Sequence, residues 1–201
     1  MPDQQPGIGA VVLAAGMSTR MGQQKLIMPW GSTTVIGKVI DTLITAAVNP
    51  IFVVVGGNRE DIGRLLTELP VTIVFNPNFA NGEMLESLQT GLMELPDYVQ
   101  ASLMVLGDQP QILESTVRKI IAQYRKDESG LIIPSYQHRR GHPWLISRNW
   151  WVEILNLKPP LTLRHFLHQH SDEIEYLIVN SSTVLEDLDT PDDYRKYSPA
   201  H

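Results

Sequence analysis

The sequence predicts an α/β fold: a doubly wound, mostly parallel sheet with helices on both faces. Three observations lead to this fold class. Apolar runs of strand length recur along the chain, segments with helical spacing of apolar residues separate them, and the runs are almost continuously hydrophobic. Continuous hydrophobic strands are typical of sheets that helices cover on both faces, and alternating strands and helices form parallel βαβ units.

The predicted elements follow in chain order. Strands are predicted at IGAVVLA (8–14), IFVVVG (51–56), VTIVF (71–75), SLMVLG (102–107) and GLIIP (130–134). Between them, apolar stripes with the helical period predict helices within 33–47, 61–69, 84–92 and 117–124. The last third predicts a strand at HPWLISR (142–148), a helix over 161–169, a strand at IEYLIV (174–179) and a short helix over 191–197. No repeat or linker interrupts this series, so we expect one domain over residues 1–201.

The composition limits the classes of partner and location. The 201 residues carry a formal net charge of −6, which argues against a broad nucleic-acid surface but allows a local cationic cleft. The chain has no cysteine, so disulfides and thiolate metal sites are excluded. Its first residues lack the pattern of a secretory signal, and no apolar stretch approaches the roughly 18–20 residues of a membrane span. We therefore expect a cytoplasmic protein that binds neither nucleic acid nor membrane.

The stretch LAAGMSTRMGQQK (13–25) directly follows the first predicted strand. Small residues at 14–16 let backbone N–H groups approach a polyanion closely, and Gly22 permits a turn. Arg20 offers a planar fork for phosphate, and Lys25 offers a compact charge. The stretch therefore predicts a phosphate-binding loop, although a small-residue turn with two solvated cations has the same composition. Its spacing matches neither the Walker pattern GxxxxGK[ST] nor GxGxxG, which counts against a dinucleotide-dependent oxidoreductase.

Two acidic stretches supply candidate metal ligands. In VLGDQP, Asp108 ends a buried strand, where a carboxylate facing a phosphate loop suits Mg²⁺ and equally suits a cap of the following turn. In EDLDTPDDY, Thr190 and the residues after it are explained as the start of a helix. This leaves Asp189 as the second metal candidate. Asp187 would share a face with Asp189 if this segment is a strand, so the choice between them stays open.

The stretch NPNFANGEMLESLQTG follows the third predicted strand and leads into a helix. Asn76 begins a turn in this stretch. Ser87 lies on the second turn of the helix, where it is either a ligand contact or an exposed serine. Met84 and Leu88 belong to the apolar stripe of the helix, so we expect both side chains in the core.

The densest group of cations occurs in HRRGHPWLISR. Because the chain is acidic as a whole, Arg139, Arg140 and His142 beside a nucleotide cleft would suit an anionic second substrate, although a solvated basic loop is the common meaning of such a run. Further on, His165 and His168 are three residues apart on a predicted helix, a spacing that allows zinc ligands. Surface histidines near the second substrate are the simpler interpretation.

Taken together, these motifs resemble those of the molybdenum cofactor nucleotidyltransferase family, and in particular its cytidylyltransferase branch. LAAGMSTRMGQQK, NPNFANGEMLESLQTG, LGDQP, GHP and DLDTPDDY occur in the family's order over about residues 9–194. LAAG is similar to the cytidylyl branch, whereas the guanylyl branch has LAGG. GEMLESL is one residue longer than the GMxxSL of many cytidylyltransferases. The resemblance implies the Rossmann-like fold of nucleotide-diphospho-sugar transferases.

The resemblance also implies a Mg²⁺-dependent reaction, in which the terminal phosphate of molybdopterin attacks the α-phosphorus of CTP and pyrophosphate leaves. The catalytic candidates are Arg20, Lys25 and Asp108, and the metal candidates are Asp108 and Asp189. Together with the candidates from the residues themselves, the nucleotide-binding set is Leu13, Ala14, Ala15, Gly16, Gly22, Asn76 and Ser87. The second-substrate set is Arg139, Arg140 and His142.

The expected partners are CTP, molybdopterin and, transiently, a molybdenum hydroxylase or its chaperone, because a labile product is best handed over directly. Two alternatives stay open. One is a nucleotidyltransferase that uses GTP, another nucleoside triphosphate or another phosphorylated acceptor, such as a sugar phosphate. The other is a non-catalytic carrier of the cofactor. The presence of Arg20, Lys25 and Asp108 favours an active enzyme.

Overall fold

The computed structural model describes residues 7–16, 24–80, 84–127 and 129–199. The strands are β1 Gly7–Ala14, β2 Pro29–Trp30, β3 Thr33–Thr34, β4 Ile51–Val55, β5 Thr72–Phe75, β6 Val99–Leu106, β7 Leu131–Tyr136, β8 Arg139–Arg140, β9 Trp144–Ser147 and β10 Ile174–Ile178. The α-helices are α1 Val35–Thr45, α2 Arg59–Leu66, α3 Met84–Glu94, α4 Glu114–Asp127, α5 Trp151–Asn156, α6 Leu163–Gln169 and α7 Pro191–Tyr197. Short 3-10 helices lie at Lys25–Ile27, Arg148–Trp150, Ser171–Glu173 and Ser182–Leu185.

The main sheet joins eight of the described strands in the order β10-β7-β9-β6-β1-β4-β5, with β8 paired to β7. At its centre, β1 pairs in parallel with both β6 and β4, and β4 pairs in parallel with β5. On the other side, β10 pairs in parallel with β7. The predicted mostly parallel sheet is therefore confirmed.

The strand β9 is antiparallel to both of its neighbours, β6 and β7. HPWLISR predicts a strand here, and the structure confirms the strand while adding its direction. In the register, Trp144 at the start of β9 lies opposite Met104 near the end of β6. Consequently His142, which precedes β9, and Asp108, which follows β6, lie beyond the same edge of the sheet.

A hydrophobic core lies on each face of the sheet. Along β1, alternate side chains enter different clusters, because successive strand residues point to opposite faces. Val12 packs in the cluster that contains buried residues of α1, α2 and α4. Its neighbour Val11 packs in the cluster that contains buried residues of α3, α5 and α6. The prediction that helices cover both faces is confirmed.

The helix starts follow from local hydrogen bonds. At α1, the Thr34 hydroxyl accepts a bond of 3.2 Å from the backbone N–H of Gly37. At α7, the Thr190 hydroxyl accepts from the N–H of Asp193, and the Asp193 carboxylate accepts from the N–H of Thr190 at 2.8 Å. This reciprocal cap satisfies N–H groups that have no partner within the helix. The predicted cap at Thr190 is therefore confirmed.

Several short elements have no counterpart in the predicted series. They are the hairpin of β2 and β3, the strand β8 and the helix α5. Each is two to six residues long, which is too short to show a period in the sequence. No helix in the described ranges is both long and apolar enough to cross a membrane.

Candidate functional site

The candidate site begins where the central parallel strands end. Leu13 of β1 lies opposite Leu106 of β6, and the backbone N–H of Gly107 donates to the Leu13 carbonyl at 3.0 Å. The segments that follow the two strands therefore leave the sheet side by side. Ligands of open α/β sheets bind beyond this edge, so a site is expected here.

A cleft of about 310 Å³ opens at this edge, and we call it the carboxylate cleft. Its lining residues are Leu13, Ala15, Gly16, Phe79, Met84, Ser87, Leu106, Asp108, Asp187 and Asp189. They come from the ends of β1 and β6, the start of α3 and the segment before α7. The structure thus brings together residues that are far apart in the sequence and that the motif analysis selected separately.

The side chain of Lys25 contacts two carboxylates of this cleft. Its Nζ donates a hydrogen bond to Asp108 Oδ2 and a second, of 3.3 Å, to Asp189 Oδ1. Lys25 lies in the 3-10 helix that follows the first loop, whereas the two aspartates are 83 and 164 residues away along the chain. The two carboxylates therefore converge on one cation-sized position.

The charge of Lys25 is maintained by these contacts. Burial is the largest single influence on the pKa of Lys25 and lowers it, because it removes water from the ammonium. The attraction and hydrogen bonds of Asp108, followed by those of Asp189, together outweigh burial and raise the pKa above its ordinary value. Lys25 is therefore a fixed positive charge at neutral pH.

Asp187 lies beside this group and has a different environment. The buried Gln109 side chain donates through Nε2 to Asp187 Oδ1. Burial raises the pKa of Asp187, and the negative charges of Asp108 and Asp189 raise it further, while the Gln109 bond acts in the opposite direction. Residues 186–189 are not a strand, so the premise that alternation places both candidates on one face is wrong. Both carboxylates nevertheless line the cleft.

Asn76 and Ser87 form a buried pair at the base of the cleft. Asn76 Nδ2 donates to Ser87 Oγ at 3.1 Å, and Asn76 Oδ1 accepts from the N–H of Asn78. Ser87 lines the carboxylate cleft, whereas Asn76 is not among its lining residues. Asn76 thus holds Ser87 in place. The interpretation of Ser87 as an exposed helical serine is wrong, since only 7% of it is exposed.

Met84 and Leu88, both on α3, differ in burial. Leu88 is fully buried, as expected. Met84 is 44% exposed and lines the cleft, so its expected place in the core is wrong. Met84 is the first residue of α3, whereas the next residue, Leu85, is buried.

The first-loop candidates divide into three groups. Leu13, Ala15 and Gly16 line the cleft. Ala14 points into the core of the face that carries α1. A Cβ added at Gly16 would meet no atom of the described residues within 4 Å, and Gly16 itself lines the cleft. The remaining candidates, Arg20 and Gly22, lie outside the described residues.

A second, larger cleft of about 750 Å³ adjoins the first, and we call it the His142 cleft. Its lining residues are Met84, Leu85, Arg140, His142, Trp144, Thr162, Leu163, Arg164, Leu167 and His168. Met84 lines both clefts. The two clefts are therefore neighbours across a single side chain at the start of α3.

The imidazole of His142 is stacked on the indole of Trp144, with ring centroids 4.8 Å apart and planes inclined by 14°. Burial lowers the pKa of His142 to about 4, so the ring is neutral at pH 7. Its Nε2 is buried and has no hydrogen-bond partner among the described residues. A buried polar atom of this kind is unfavourable unless a ligand completes it.

Arginines supply the charge of the His142 cleft. Arg140 lines the cleft, and its Nε donates to the hydroxyl of Tyr176 at 2.8 Å. Arg164, on α6, is a second lining arginine. Arg139 is exposed and is not among the lining residues, so the structure does not join it to the other second-substrate candidates.

The histidines of α6 do not form a metal site together. His165 Nδ1 accepts a bond of 3.1 Å from the backbone N–H of Thr162 and so caps the helix. His168 instead lines the His142 cleft. The described residues contain no group of three or more His, Asp or Glu side chains placed to hold a metal ion. The described residues therefore supply no further ligand for a zinc site at His165 and His168.

The convergence of Asp108 and Asp189 suits a different kind of metal site. Mg²⁺ is usually held by one or two carboxylates and completes its shell with water and substrate phosphate oxygens. Two aspartates that meet at one cation-sized position match this donor set. The carboxylate cleft thus fits a metal ion shared with a triphosphate, and does not fit a closed structural metal centre.

Gln109, Trp144 and Arg164 are among the lining or supporting residues that the sequence analysis did not select. Gln109 stands in the DQP motif beside Asp108, but its buried bond to Asp187 depends on a segment 78 residues away. Trp144 resembles any apolar residue of a strand. The spacing of apolar residues over 161–169 predicts a helix that follows the cationic stretch HRRGHPWLISR in the sequence. This proximity is the sequence signal that could have identified Arg164 as a further cation of the site.

Comparison with known proteins identifies the family of the chain. The model of the MobA-like NTP transferase domain matches residues 10–174. The molybdenum cofactor cytidylyltransferase of Escherichia coli (strain K12) is 30% identical over 191 residues, which are 93% of each chain. The crystal structure of Rv0371c from Mycobacterium tuberculosis H37Rv is 27% identical, with a TM-score of 0.87 over 98% of this chain and 100% of that one. The same protein's complex with manganese is 26% identical with a TM-score of 0.81, covering 96% and 98%.

Proposed function

Because the chain belongs to the MobA-like NTP transferase family and is a nucleotidyltransferase, we propose that it transfers CMP from CTP to the terminal phosphate of molybdopterin. The observation that carries this proposal is the adjacency of two clefts across Met84. One has the donors for a metal-bound triphosphate, and the other has cationic and aromatic groups for a second anionic substrate. The relative from Escherichia coli supports the choice of reaction.

Asp108 and Asp189 are the proposed ligands of Mg²⁺. The manganese complex of the Mycobacterium relative supports a divalent ion in this family. When bound, such an ion neutralises phosphate charge and polarises the phosphorus–oxygen bonds of the triphosphate. A carboxylate-lined cleft would otherwise repel a polyanion, so the convergence of Asp108 and Asp189 on one position supports a divalent cation there.

The chain's own residues bind and align the triphosphate. The backbone at Ala15 and Gly16 borders the cleft and can approach phosphate closely. Lys25 supplies a positive charge that can pair with phosphate oxygens, and Arg20 is proposed as its companion. Alignment of the attacking oxygen, the α-phosphorus and the leaving pyrophosphate needs no covalent intermediate. No lining residue is therefore assigned the role of a nucleophile.

The His142 cleft is the proposed site of the second substrate. Arg140 and Arg164 can pair with its terminal phosphate, and Trp144 and His142 offer flat faces to a ring system. The neutral His142 adds a hydrogen-bonding nitrogen without adding charge. The substrate's phosphate would then reach the CTP across Met84. A hydroxylase or its chaperone that receives the product is a further proposed partner.

The test is release of pyrophosphate with Mg²⁺ and molybdopterin, comparing CTP, GTP, ATP and UTP at equal concentration. We expect release with CTP and no comparable release without molybdopterin. Release with another nucleotide would keep the transferase and overturn the base assignment. Nucleotide binding without release would point to another phosphorylated acceptor or to a carrier.

A further inference from the structure

Lys25 occupies the position that the proposed metal requires. Its Nζ contacts one oxygen of Asp108 and one oxygen of Asp189, and these two residues are the proposed metal ligands. The Lys25 side chain is largely buried, with 14% of its surface exposed, so it is held by the protein rather than extended into water. The contact is thus a built feature of the site.

An ammonium and a divalent cation cannot share this position. Both are attracted to the same carboxylate oxygens, and at a few ångströms they repel each other strongly in a partly buried site. Each carboxylate that Lys25 engages is also one that a metal ion would need. Binding of the metal to Asp108 and Asp189 therefore requires that Lys25 leave these carboxylates.

We propose that Lys25 and the divalent ion exchange places: metal binding releases Lys25 from Asp108 and Asp189, and the released ammonium then engages the triphosphate. This inference rests on the proposed function and deepens it, because it couples metal and nucleotide binding at one site. Without nucleotide, the metal must displace the largely buried ammonium from both carboxylates. With nucleotide, the displaced charge gains phosphate oxygens. The metal alone is therefore bound weakly, and the two ligands bind cooperatively.

Substitution of Lys25 should have opposite effects on the affinity for nucleotide and on the affinity for the metal alone. Removing a cation from a triphosphate site weakens nucleotide binding, as for any phosphate contact. Removing the same cation should strengthen binding of the metal alone, because Lys25 no longer occupies the oxygens of Asp108 and Asp189. A lysine that merely stays beside the metal, aimed at the phosphates, would not compete for these carboxylates. Its removal would relieve only its repulsion of the metal, by the same factor with and without nucleotide.

The experiment uses the full chain without nucleotide, with free Mn²⁺ measured by electron paramagnetic resonance. Lys25→Met should bind Mn²⁺ at least about tenfold more tightly than wild type, since two charge-assisted bonds no longer compete. The matched control is Lys38→Met, an exposed lysine of α1 with the same change of charge. Its Mn²⁺ affinity should stay within about twofold of wild type. In the Lys25→Met background, adding Asp108→Asn should remove the gain and so locate the ion.

Equal or weaker Mn²⁺ binding by Lys25→Met than by Lys38→Met would overturn the exchange. A thermal melt of each variant checks that it is folded. The second measurement repeats the titration with α,β-methylene-CTP, which is not cleaved. Wild type should gain more Mn²⁺ affinity from this nucleotide than Lys25→Met does, and an equal gain would also contradict the proposal. If Lys25→Met shows the Mn²⁺ gain but no nucleotide supports pyrophosphate release by wild type, the proposed function fails and the exchange stands.

Discussion

The amide of Gln109 and the carboxylate of Asp187 are bonded to each other at the wall of the carboxylate cleft, with Gln109 almost entirely buried. This bond holds the segment before α7 against the loop after β6. It also opposes the influences of burial and neighbouring charges that raise the pKa of Asp187. The pair therefore contributes to the shape of the site as well as to the stability of the fold.

Gln109→Ala should lower the free energy of unfolding by about 1 kcal/mol at pH 7, because it removes the hydrogen bond from the buried Gln109 side chain to the Asp187 carboxylate. The measurement is urea unfolding followed by circular dichroism. Gln111→Ala is the matched control, since the buried amide atoms of Gln111 make no hydrogen bond to any described residue. An equal loss in both variants would show that the Gln109 bond has no special weight.

Asp108→Asn should reduce metal-dependent pyrophosphate release by about 100-fold or more, because the amide keeps the shape but loses the charge that holds the cation. The melting temperature should change little, since Asp108 lies at the cleft rather than in the core. Asp192→Asn, at an exposed aspartate of α7, is the control for loss of one charge. Full activity of Asp108→Asn would remove Asp108 from the metal site.

Arg140→Ala should raise the KM for the phosphorylated acceptor by about tenfold, since a charge-assisted contact to phosphate is lost. The KM for the nucleotide should stay unchanged, because Arg140 lines the His142 cleft and not the carboxylate cleft. Arg139→Ala provides the comparison, and its effect on the acceptor should be smaller than threefold or so. Steady-state kinetics with each substrate varied separately distinguishes these outcomes. Equal effects of the two arginines would contradict the assignment of the cleft.

Ala15→Gly should reduce the preference for CTP over GTP by roughly tenfold. This is the usual effect of one carbon atom in a binding pocket on the discrimination between two substrates. The Ala15 side chain belongs to the wall of the carboxylate cleft, and removing its methyl group leaves more room for a larger base. The ratio of kcat/KM for the two nucleotides is the measurement. An unchanged ratio would place base selection in another part of the site.

His142 should make stability depend on pH below neutrality. Its folded pKa is about 4, below the ordinary value of 6.5, so the unfolded chain binds the proton first as the pH falls. The stabilisation is therefore complete above about pH 6.5 and declines towards pH 4, by up to about 3 kcal/mol. Urea unfolding of wild type and His142→Gln across this range should show the steeper decline in wild type. Parallel curves would mean that the His142 pKa is not lowered.

The sequence predicted the parts of this fold that depend on local pattern. The apolar runs of β1, β4 and β6 and the Thr190 cap follow from spacing alone, and each is confirmed. The short strand β8 and helix α5 were missed because a few residues carry no measurable period. The direction of β9 was also beyond the sequence, since a strand of four residues looks the same in either direction.

The candidate site was predictable at the ends of strands and not elsewhere. Leu13 lies near the end of β1, and Gly16 and Asp108 follow β1 and β6. The rule that ligands bind beyond parallel strand ends brings the three together. Trp144 and Gln109 gain their importance from long-range packing, which no motif encodes. Met84 was assigned to the core because its place in the apolar stripe is real, but the stripe continues past the end of the core.

The stretch of chain that contains β9 supplies most of one cleft and none of the lining residues of the other. Most of the His142 cleft comes from one continuous stretch, residues 140–168, whereas the carboxylate cleft is assembled from four distant segments. Substitutions within residues 140–168 can therefore change the His142 cleft while leaving the carboxylate cleft intact. Under the proposed function, replacing this one stretch of chain should give the transferase a new phosphorylated acceptor.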